Sequence, residues 1–286
     1  MKQFEFGLDY IKEHFGNNTA LATQQMTHSL YRSNDEILID HILRSLDLTG
    51  REAIIDIGCG NGFILRDVIS RLRSGGRAVA VDVSPAMLEL AKNNVLVSWV
   101  PLEFVEGRAE ELSYADGEFD RVMANYIFHY IEDPDLVCSE LARLTSDKGH
   151  TIVTIEARHS MPEMYELHFS GMEKVGFPDE FIRRLPRGRR GKMTLENSEE
   201  TLSKYFSSVE EHPYEDTLRF ESADPFMLFY ATGHRFCGAK AKAPEYDIPE
   251  STFDELYAEV EKTVEKHIAE NGYFEVSKQN SVFICS

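Results

Sequence analysis

The sequence predicts an α/β protein: a doubly wound, mostly parallel sheet that carries an inserted lobe over its C-terminal edge. Apolar runs of strand length alternate with helix-like segments from residue 51 to residue 157, which is typical of parallel strands joined by crossover helices. One of these runs, Ala53–Ile57, leads into three glycines at alternate positions, as expected where a buried strand turns sharply into a helix. Residues 158–245 break the alternation, which predicts a separate lobe.

The chain before the first strand is predicted to be helical. Between Asp35 and Leu48 apolar residues recur at the spacing of one helix face, and Gly50 follows the run, as at the end of a helix. We therefore expect an N-terminal helical segment at 1–49, followed by a core domain at 50–157.

The core is predicted to contain five strands and three connecting helices. The strands are Ala53–Ile57, Arg77–Val81, Leu102–Glu106, Phe119–Ala124 and His150–Glu156. The helices are Phe63–Leu72, Pro85–Asn94 and Pro134–Leu144. Pro85 and Pro134 open two of these helices, and proline suits the first helical turn because the N–H that it lacks would have no intrahelical partner there.

The remaining chain is predicted to form a substrate lobe or lid at 158–245 and a closing unit at 246–286. The lobe is expected to hold a helix at Glu199–Phe206, a strand at Ser208–His212 and a helix at Pro225–Ala231. In the closing unit, Thr252 and Glu255 have the spacing of a capping box and predict the start of a helix that ends at Asn271. The tail Gly272–Cys285 predicts one or two short strands that complete the sheet.

Composition narrows the classes of function. The chain has 286 residues, is 42% apolar and has a formal net charge of −19. Because nucleic acids and anionic membranes are bound largely through Lys and Arg, neither is an expected partner. Four widely spaced cysteines without a Cys-x-x-Cys pair indicate neither a zinc site nor a disulfide framework, so no metal is predicted. The N-terminus has no apolar signal core and no run of about 18 apolar residues occurs, so a cytoplasmic protein is expected.

Two acids and the glycines predict a nucleotide-like ligand. Asp56 lies in the first strand just before the glycine turn, and Asp82 follows the second apolar run, 20 residues after Gly62. At that distance an acid reaches a ribose hydroxyl in nucleotide-binding units. A dinucleotide site is disfavoured, because the third glycine of Gly-x-Gly-x-x-Gly would fall on Phe63. A dehydrogenase is therefore a weak alternative.

The pattern acid-x-Gly-x-Gly-x-Gly from Asp56 to Gly62 resembles the first motif of class I methyltransferases, which use S-adenosylmethionine. The resemblance implies a Rossmann-like methyltransferase fold, in which the turn wraps the amino-acid end of the cofactor and the second acid takes both ribose hydroxyls. It also implies an adenine contact from the backbone N–H of Ala109, although Arg108 stands where the family often has Asp. The cofactor-binding residues that it implies are Tyr31, Asp56, Gly58, Cys59, Gly60, Gly62, Asp82, Val83, Met87, Arg108, Ala109, Asn125, Tyr126 and Tyr130.

The lobe and the closing unit resemble a bacterial branch of this family that acts on small molecules. This implies in-line methyl transfer to a small-molecule acceptor, with a general base where the acceptor is a hydroxyl or a protonated amine. His129 is the first candidate for that base, because it follows the fourth strand. The further candidates are His159 and His168, with Tyr214 and Glu156 behind them.

Several alternatives stay open from the sequence. A protein that binds S-adenosylmethionine without transferring methyl would show the same glycines and acids. A macromolecular methyltransferase is disfavoured, because the segment that begins at Asn125 lacks the two prolines of enzymes that methylate nucleic-acid amines and the paired glutamates of those that methylate arginine. The basic run 183–192 predicts either a solvated loop or a lid that attracts an anionic substrate. The acceptor atom and the oligomeric state stay undetermined.

Overall fold

The computed structural model describes residues 3–4, 10, 13–14, 19–188 and 191–286. Their strands form one seven-stranded sheet with the order β3-β2-β1-β4-β5-β7-β6. The strands are β1 (Ala53–Ile57), β2 (Arg77–Asp82), β3 (Leu102–Glu106), β4 (Phe119–Asn125), β5 (Thr145–Glu156), β6 (Val209–Phe220) and β7 (Phe274–Cys285). The first five are parallel, and β7 pairs antiparallel with both β5 and β6. The predicted doubly wound, mostly parallel sheet is confirmed.

Helices cover both faces of the sheet and build the lobe. Those before and within the core are α1 (Thr19–Leu30), α2 (Leu38–Ser45), α3 (Phe63–Ile69), α4 (Pro85–Asn94) and α5 (Pro134–Leu144). Those that follow are α6 (Pro162–Val175), α7 (Asp179–Arg184), α8 (Leu195–Leu202), α9 (Ala223–Thr232), α10 (His234–Lys242) and α11 (Glu250–Asn271). Short 3-10 helices lie at Phe128–Tyr130 and Ala243–Tyr246. In the described part of the chain no helix has the length and apolar character needed to cross a membrane.

The core lies in three packed clusters. On one face of the sheet, Ile54 and Met123 pack with α2, α3 and α4. On the other face, Ile55 and Val122 pack with α5 and α8. Neighbouring residues of one strand thus enter different clusters, because successive side chains point to opposite faces, and parallel strands are buried on both. The third cluster is the aromatic core of the lobe, centred on residues such as Phe226.

The second half of the chain differs most from the predicted elements. The strand predicted at Ser208–His212 extends from Val209 to Phe220, because each of its residues pairs with one residue of β7. The tail is correspondingly one twelve-residue strand. These lengths depend on pairing between segments about 60 residues apart, and alternating charged residues on the exposed side of β6 obscure the apolar pattern.

Two helix starts were also predicted wrongly. The predicted capping box at Thr252 is absent, since α11 already begins at Glu250 after Pro249. A capping box does occur at the start of α8, where Thr194 and Asn197 bond reciprocally. The helix predicted at Glu199–Phe206 therefore begins four residues earlier, at Leu195. Asn197 was missed because it stands where the motif usually has Glu or Gln.

Candidate functional site

A cavity of about 1840 Å³ opens beyond the carboxyl ends of the central strands. Its walls come from the glycine turn after β1, from α1 and α2, and from the lobe. The strand order runs outward from β1 to β2 and β3 on one side, and through β4 on the other. Ligands of open α/β sheets bind at such a switch point, so the fold itself places a binding site here.

The glycine turn needs its glycines for conformation and for space. Gly58, Gly60 and Gly62 all have positive φ, at 75°, 55° and 75°, where other residues are strained. A Cβ on Gly58 would lie 2.2 Å from Cγ2 of Ile127, and one on Gly62 would lie 3.0 Å from Cβ of Ala91. Gly58 and Gly60 line the cavity, whereas Gly62 packs against α4 and does not.

Asp82 ties the glycine turn to the end of β2. Its Oδ2 accepts a hydrogen bond from the backbone N–H of Gly60 at 2.9 Å, and its Oδ1 accepts one from Ser84 at 2.8 Å. Burial raises the pKa of Asp82, although these backbone hydrogen bonds act in the opposite direction. Because the carboxylate also lines the cavity, it can accept further hydrogen bonds from a ligand hydroxyl.

Asp56 is the second acid of this wall and is 3% exposed. Burial, followed by the nearby charge of Asp82, raises the pKa of Asp56 to about 7. The ionised form of this carboxyl is therefore penalised in the ligand-free protein. A cationic group bound in the cavity would favour that form, so the acid pair is suited to a ligand with positive charge.

Asn125 ends β4 with one donor left for a ligand. Its Oδ1 accepts a hydrogen bond from the Thr154 hydroxyl at 2.5 Å, while its buried Nδ2 has no hydrogen-bond partner in the described part of the chain. Buried amide donors rarely stay unpaired, and Asn125 lines the cavity. The next residue, Tyr126, lines it too and has a positive φ of 59°. Such a left-handed non-glycine residue is uncommon outside functional loops.

The loops after β2 and β3 form the far end of the same wall. Val83, Met87, Arg108 and Ala109 all line the cavity there. The Arg108 guanidinium donates to Oε1 of Glu110 at 2.7 Å. Cys59 also lines the cavity and is nearly buried; burial, followed by the charges of the two acids, raises the pKa of its thiol. This thiol is therefore not poised as a nucleophile.

Helix α1 covers the glycine turn, which the sequence did not predict. Gln25 donates to Oδ1 of Asn61 at 3.1 Å and accepts from its Nδ2 at 3.0 Å. Asn61 lies inside the turn, and Gln25 lines the cavity. No sequence pattern links two amides 36 residues apart, so only the packed structure reveals this pair.

The three predicted histidines lie in different surroundings. His129 and His159 line the cavity. His168 does not: it is 1% exposed, and its Nδ1 lies 2.7 Å from the hydroxyl of Tyr230. His234 was missed by the sequence analysis, although it lines the cavity with Nε2 2.7 Å from the hydroxyl of Tyr130. It starts α10 in a segment without a recognisable motif.

Other predicted residues divide in the same way. Tyr130, Tyr214 and Glu156 line the cavity. Tyr31 does not, because its ring stacks on Phe220 in the lobe, with the ring centroids 5.0 Å apart. From the basic run, Arg187 and Lys192 line the cavity, while residues 189 and 190 lie outside the described part of the chain, as do residues 1–2, 5–9, 11–12 and 15–18 of the predicted N-terminal segment. No group of three His, Cys, Asp or Glu residues in the described chain could hold a metal ion.

Residues 55–153 match the family model described as a methyltransferase domain. The chain is 28% identical to a ubiquinone biosynthesis O-methyltransferase of Xanthomonas oryzae over 58% of this chain and 63% of the relative. It is 26% identical to a malonyl-[acyl-carrier protein] O-methyltransferase of Halalkalibacterium halodurans over 61% of this chain and 63% of the relative. The chain thus spans less than two thirds of the length of the curated relatives that it matches.

The fold is similar to that of a phosphoethanolamine N-methyltransferase 2 from Haemonchus contortus, solved in complex with S-adenosyl-L-methionine. The TM-score is 0.56 at 16% identity, over 97% of this chain and 59% of that one. At this identity the likeness concerns the fold alone. The sheet order, the glycine turn with its two acids and the match over residues 55–153 together support a methyltransferase domain of the class I, S-adenosylmethionine-dependent type.

Proposed function

We propose that this chain is an enzyme that transfers a methyl group from S-adenosylmethionine to a small molecule. One observation carries the proposal: Asp82 clamps the glycine turn, and on the same cavity wall lie Asp56 and Asn125, whose Nδ2 has no partner among the described residues. Asp82 can accept hydrogen bonds from hydroxyl groups, ionised Asp56 can bind a cation, and the Nδ2 of Asn125 can donate a hydrogen bond. S-adenosylmethionine presents hydroxyls, positive charge and a carboxylate, so the residues fit it.

The family resemblance suggests the cofactor-holding role of each of these lining residues. Asp82 would take the ribose hydroxyls, and Val83 and Met87 would cover the adenine beside the backbone N–H of Ala109, with Arg108 next to it. Asp56, Gly58, Cys59 and Gly60 would surround the amino-acid end. Asn125, Tyr126 and Tyr130 would border the sulfonium, where aromatic faces stabilise a cation.

The bound cofactor supplies an electrophilic methyl group, so the protein needs no covalent nucleophile. Its own residues align the acceptor and exclude water, which provides much of the acceleration in such transfers. Where the acceptor carries a proton, His129 is the candidate base, because it lines the cavity. It also lies only two residues from Ile127, which packs against Gly58 of the glycine turn. His159 is the second candidate on the cavity wall.

The relatives support a small-molecule acceptor, and they suggest which atom to test first. Both curated relatives quoted above are named as O-methyltransferases. An oxygen acceptor, either a hydroxyl or a carboxyl group, is therefore the first class to screen. The acidic net charge of −19 supports a small molecule over a nucleic acid.

Calorimetric titration with S-adenosylmethionine, S-adenosylhomocysteine and NAD tests the proposal. We expect the first two to bind and NAD not to bind. Asp82→Ala should lower the affinity for S-adenosylhomocysteine by about 10- to 100-fold, because one hydrogen-bonded charged group contributes roughly 1.5–3 kcal/mol to binding. Asp40→Ala is the matched control, since Asp40 is an exposed acid on the cavity rim and should change affinity less than twofold.

Product analysis then separates a methyltransferase from a protein that only binds the cofactor. Incubation with methyl-labelled S-adenosylmethionine and a library of small hydroxy and carboxylic acids should release S-adenosylhomocysteine together with a labelled product. Binding of both adenosyl compounds without turnover on any acceptor class, including protein and nucleic acid, would contradict the proposed activity. Failure of either adenosyl compound to bind would contradict the cofactor assignment itself.

A further inference from the structure

A small cavity of about 40 Å³ lies beside the main one, between α6, the segment after α7 and the start of α10. The two share six lining residues, including His129, His234 and Arg235. We propose that this small cavity, the acceptor subpocket, binds a carboxylate of the methyl acceptor. The inference rests on the proposed function and names the substrate class of the same site: a small molecule with a carboxylate group.

His168 provides a buried donor for this subpocket. It lines the subpocket, is 1% exposed, and its buried Nε2 has no hydrogen-bond partner among the residues that the structure describes. Burial, followed by the charge of Arg235, lowers the pKa of His168 to about 3, so the ring is neutral and carries one N–H.

The position of that hydrogen follows from Tyr230. Burial raises the pKa of the Tyr230 phenol, so its hydroxyl keeps its proton. The only hydrogen bond found for this hydroxyl among the described residues is to Nδ1 of His168, at 2.7 Å. The phenol is satisfied by donating to Nδ1, which leaves the hydrogen of His168 on Nε2. An unpaired N–H lining a cavity points to a ligand that accepts hydrogen bonds.

The charge of the subpocket matches a negatively charged acceptor. Arg235 lines it, and its guanidinium carbon lies 3.8 Å from the ring centroid of Tyr165. This stacking fixes the plane of the guanidinium fork, which suits bidentate binding of a carboxylate. The described residues that line the subpocket include no Asp or Glu, although the chain has 49 acids.

A second cation stands at the entrance. The Arg187 guanidinium lies over the ring of Phe169, with its carbon 4.2 Å from the ring centroid. Phe169 lines the subpocket, and Arg187 lines the main cavity next to it. No carboxylate of the described residues forms an ion pair with Arg187. From the predicted basic run, Arg187 thus adds a positive charge without a carboxylate partner among the described residues, next to the subpocket.

Size favours a carboxylate over a phosphate. A water needs roughly 10–15 Å³ of such space, so about 40 Å³ accommodates two or three heavy atoms. That is the head of a carboxylate, whereas a phosphate brings four oxygens around phosphorus. Because His129 and His234 line both cavities, an acceptor anchored in the subpocket extends past them into the main cavity, where the cofactor would lie.

The test uses benzoate and its neutral isostere benzamide, which differ in charge, together with phenyl phosphate, which is an anion with a larger head group. Their binding to the full chain is measured by ligand-detected NMR titration, with and without saturating S-adenosylhomocysteine. We expect benzoate to bind at least about 10-fold more tightly than benzamide and phenyl phosphate, the effect of one charge-assisted hydrogen bond. Equal binding of benzoate and benzamide would overturn the inference, and tighter binding of phenyl phosphate would assign the site to phosphate instead.

Two variants and a control locate the binding. Arg235→Gln should lower the affinity for benzoate about 10- to 100-fold, whereas Arg158→Gln should change that affinity by less than about twofold. Both variants remove one positive charge from the wall of the main cavity, but Arg158 does not line the subpocket. The pair therefore separates a local effect from a general effect of charge. His168→Phe keeps the ring shape without the donor and should also weaken benzoate, with its melting temperature recorded as a check on folding. Equal losses in the two arginine variants would overturn the inference.

The outcomes distinguish this inference from the proposed function. Binding of S-adenosylhomocysteine without any preference for benzoate overturns the subpocket and leaves the methyltransferase proposal intact. A preference for benzoate that depends on Arg235, without binding of S-adenosylhomocysteine, overturns the proposed function and supports a carboxylate site.

Discussion

Replacing Asp56 with Asn should stabilise the ligand-free protein at alkaline pH and weaken the binding of the cofactor. The side chain is 3% exposed, and burial with the nearby Asp82 raises its pKa from 3.8 to about 7. Between these two values the native state holds a proton that the unfolded state has lost. Stability therefore falls as the pH rises through this window. Asn has the same shape and no charge, so the stability of the variant does not fall in this pH window.

The size of the effect follows from the shift. A shift of about 3 pH units at 1.36 kcal/mol per unit gives an upper value of about 4 kcal/mol above pH 7. Because both acids of the pair share this penalty, and denatured chains carry some residual structure, we expect about 2–4 kcal/mol. Roughly half of it should develop between pH 5.5 and pH 8, since part of the penalty is already present at pH 5.5.

Urea unfolding of wild type and Asp56→Asn at pH 5.5 and pH 8 measures this difference. The control is Glu52→Gln, one residue before the start of the same strand. Burial raises the pKa of Glu52, but hydrogen bonds from Thr49 and Gly50 outweigh it and lower the pKa overall. Its contribution to stability is complete above pH 5 and is lost only in stronger acid. The Glu52→Gln difference should therefore be constant from pH 5.5 to pH 8. A pH-independent Asp56→Asn difference would refute the assignment of Asp56 as a penalised acid.

Three further changes test the glycine turn, its cover and the base. Gly58→Ala places a Cβ 2.2 Å from Ile127 at a φ of 75°, so urea unfolding should show a loss of about 2 kcal/mol or more, and a loss under 0.5 kcal/mol would contradict the turn geometry. Gln25→Ala removes both bonds to Asn61, so amide exchange in α1 should accelerate by about 10-fold; unchanged exchange would mean that the pair does not hold the helix. His129→Ala should lower turnover on the first active acceptor by about 10²- to 10⁴-fold with cofactor affinity within twofold, and full turnover would remove it as the base.

The parts of the site that the sequence predicts are local in the chain. Asp56 and the glycines stand within seven residues. The positive φ of the three glycines accounts for that residue type in the turn, and the neighbouring acid adds the prediction of a ligand. Asp82 ends the next strand at a spacing that parallel strands impose. These predictions needed no knowledge of the lobe. The structure then puts both acids on one cavity wall.

The parts that the sequence does not predict depend on packing between distant segments. The bond between Gln25 and Asn61, and the position of His234 beside Tyr130, arise only when α1 and α10 close over the sheet. The same closure removes Tyr31 from the cavity, because its ring has an aromatic partner in the lobe. Single aromatic or histidine residues in a lobe rich in such residues have no pattern that distinguishes a core role from a site role.

Under the proposed function, the acids beyond β1 and β2 and the arginines of the lobe would orient two ligands in one pocket. Asp56 and Asp82 lie at the end beyond β1 and β2, where negative charge favours a cationic sulfonium cofactor. Arg187 and Arg235 lie at the lobe end, where positive charge favours an anionic acceptor. The proposed cofactor and acceptor would thereby be drawn to different ends, with His129 lining both the subpocket and the main cavity. Because a charge interaction at cavity distances weakens as salt screens it, raising the ionic strength should increase KM for a carboxylate acceptor more than for its neutral amide. Equal changes in the two KM values would show that the charge of the lobe wall does not act on the substrate.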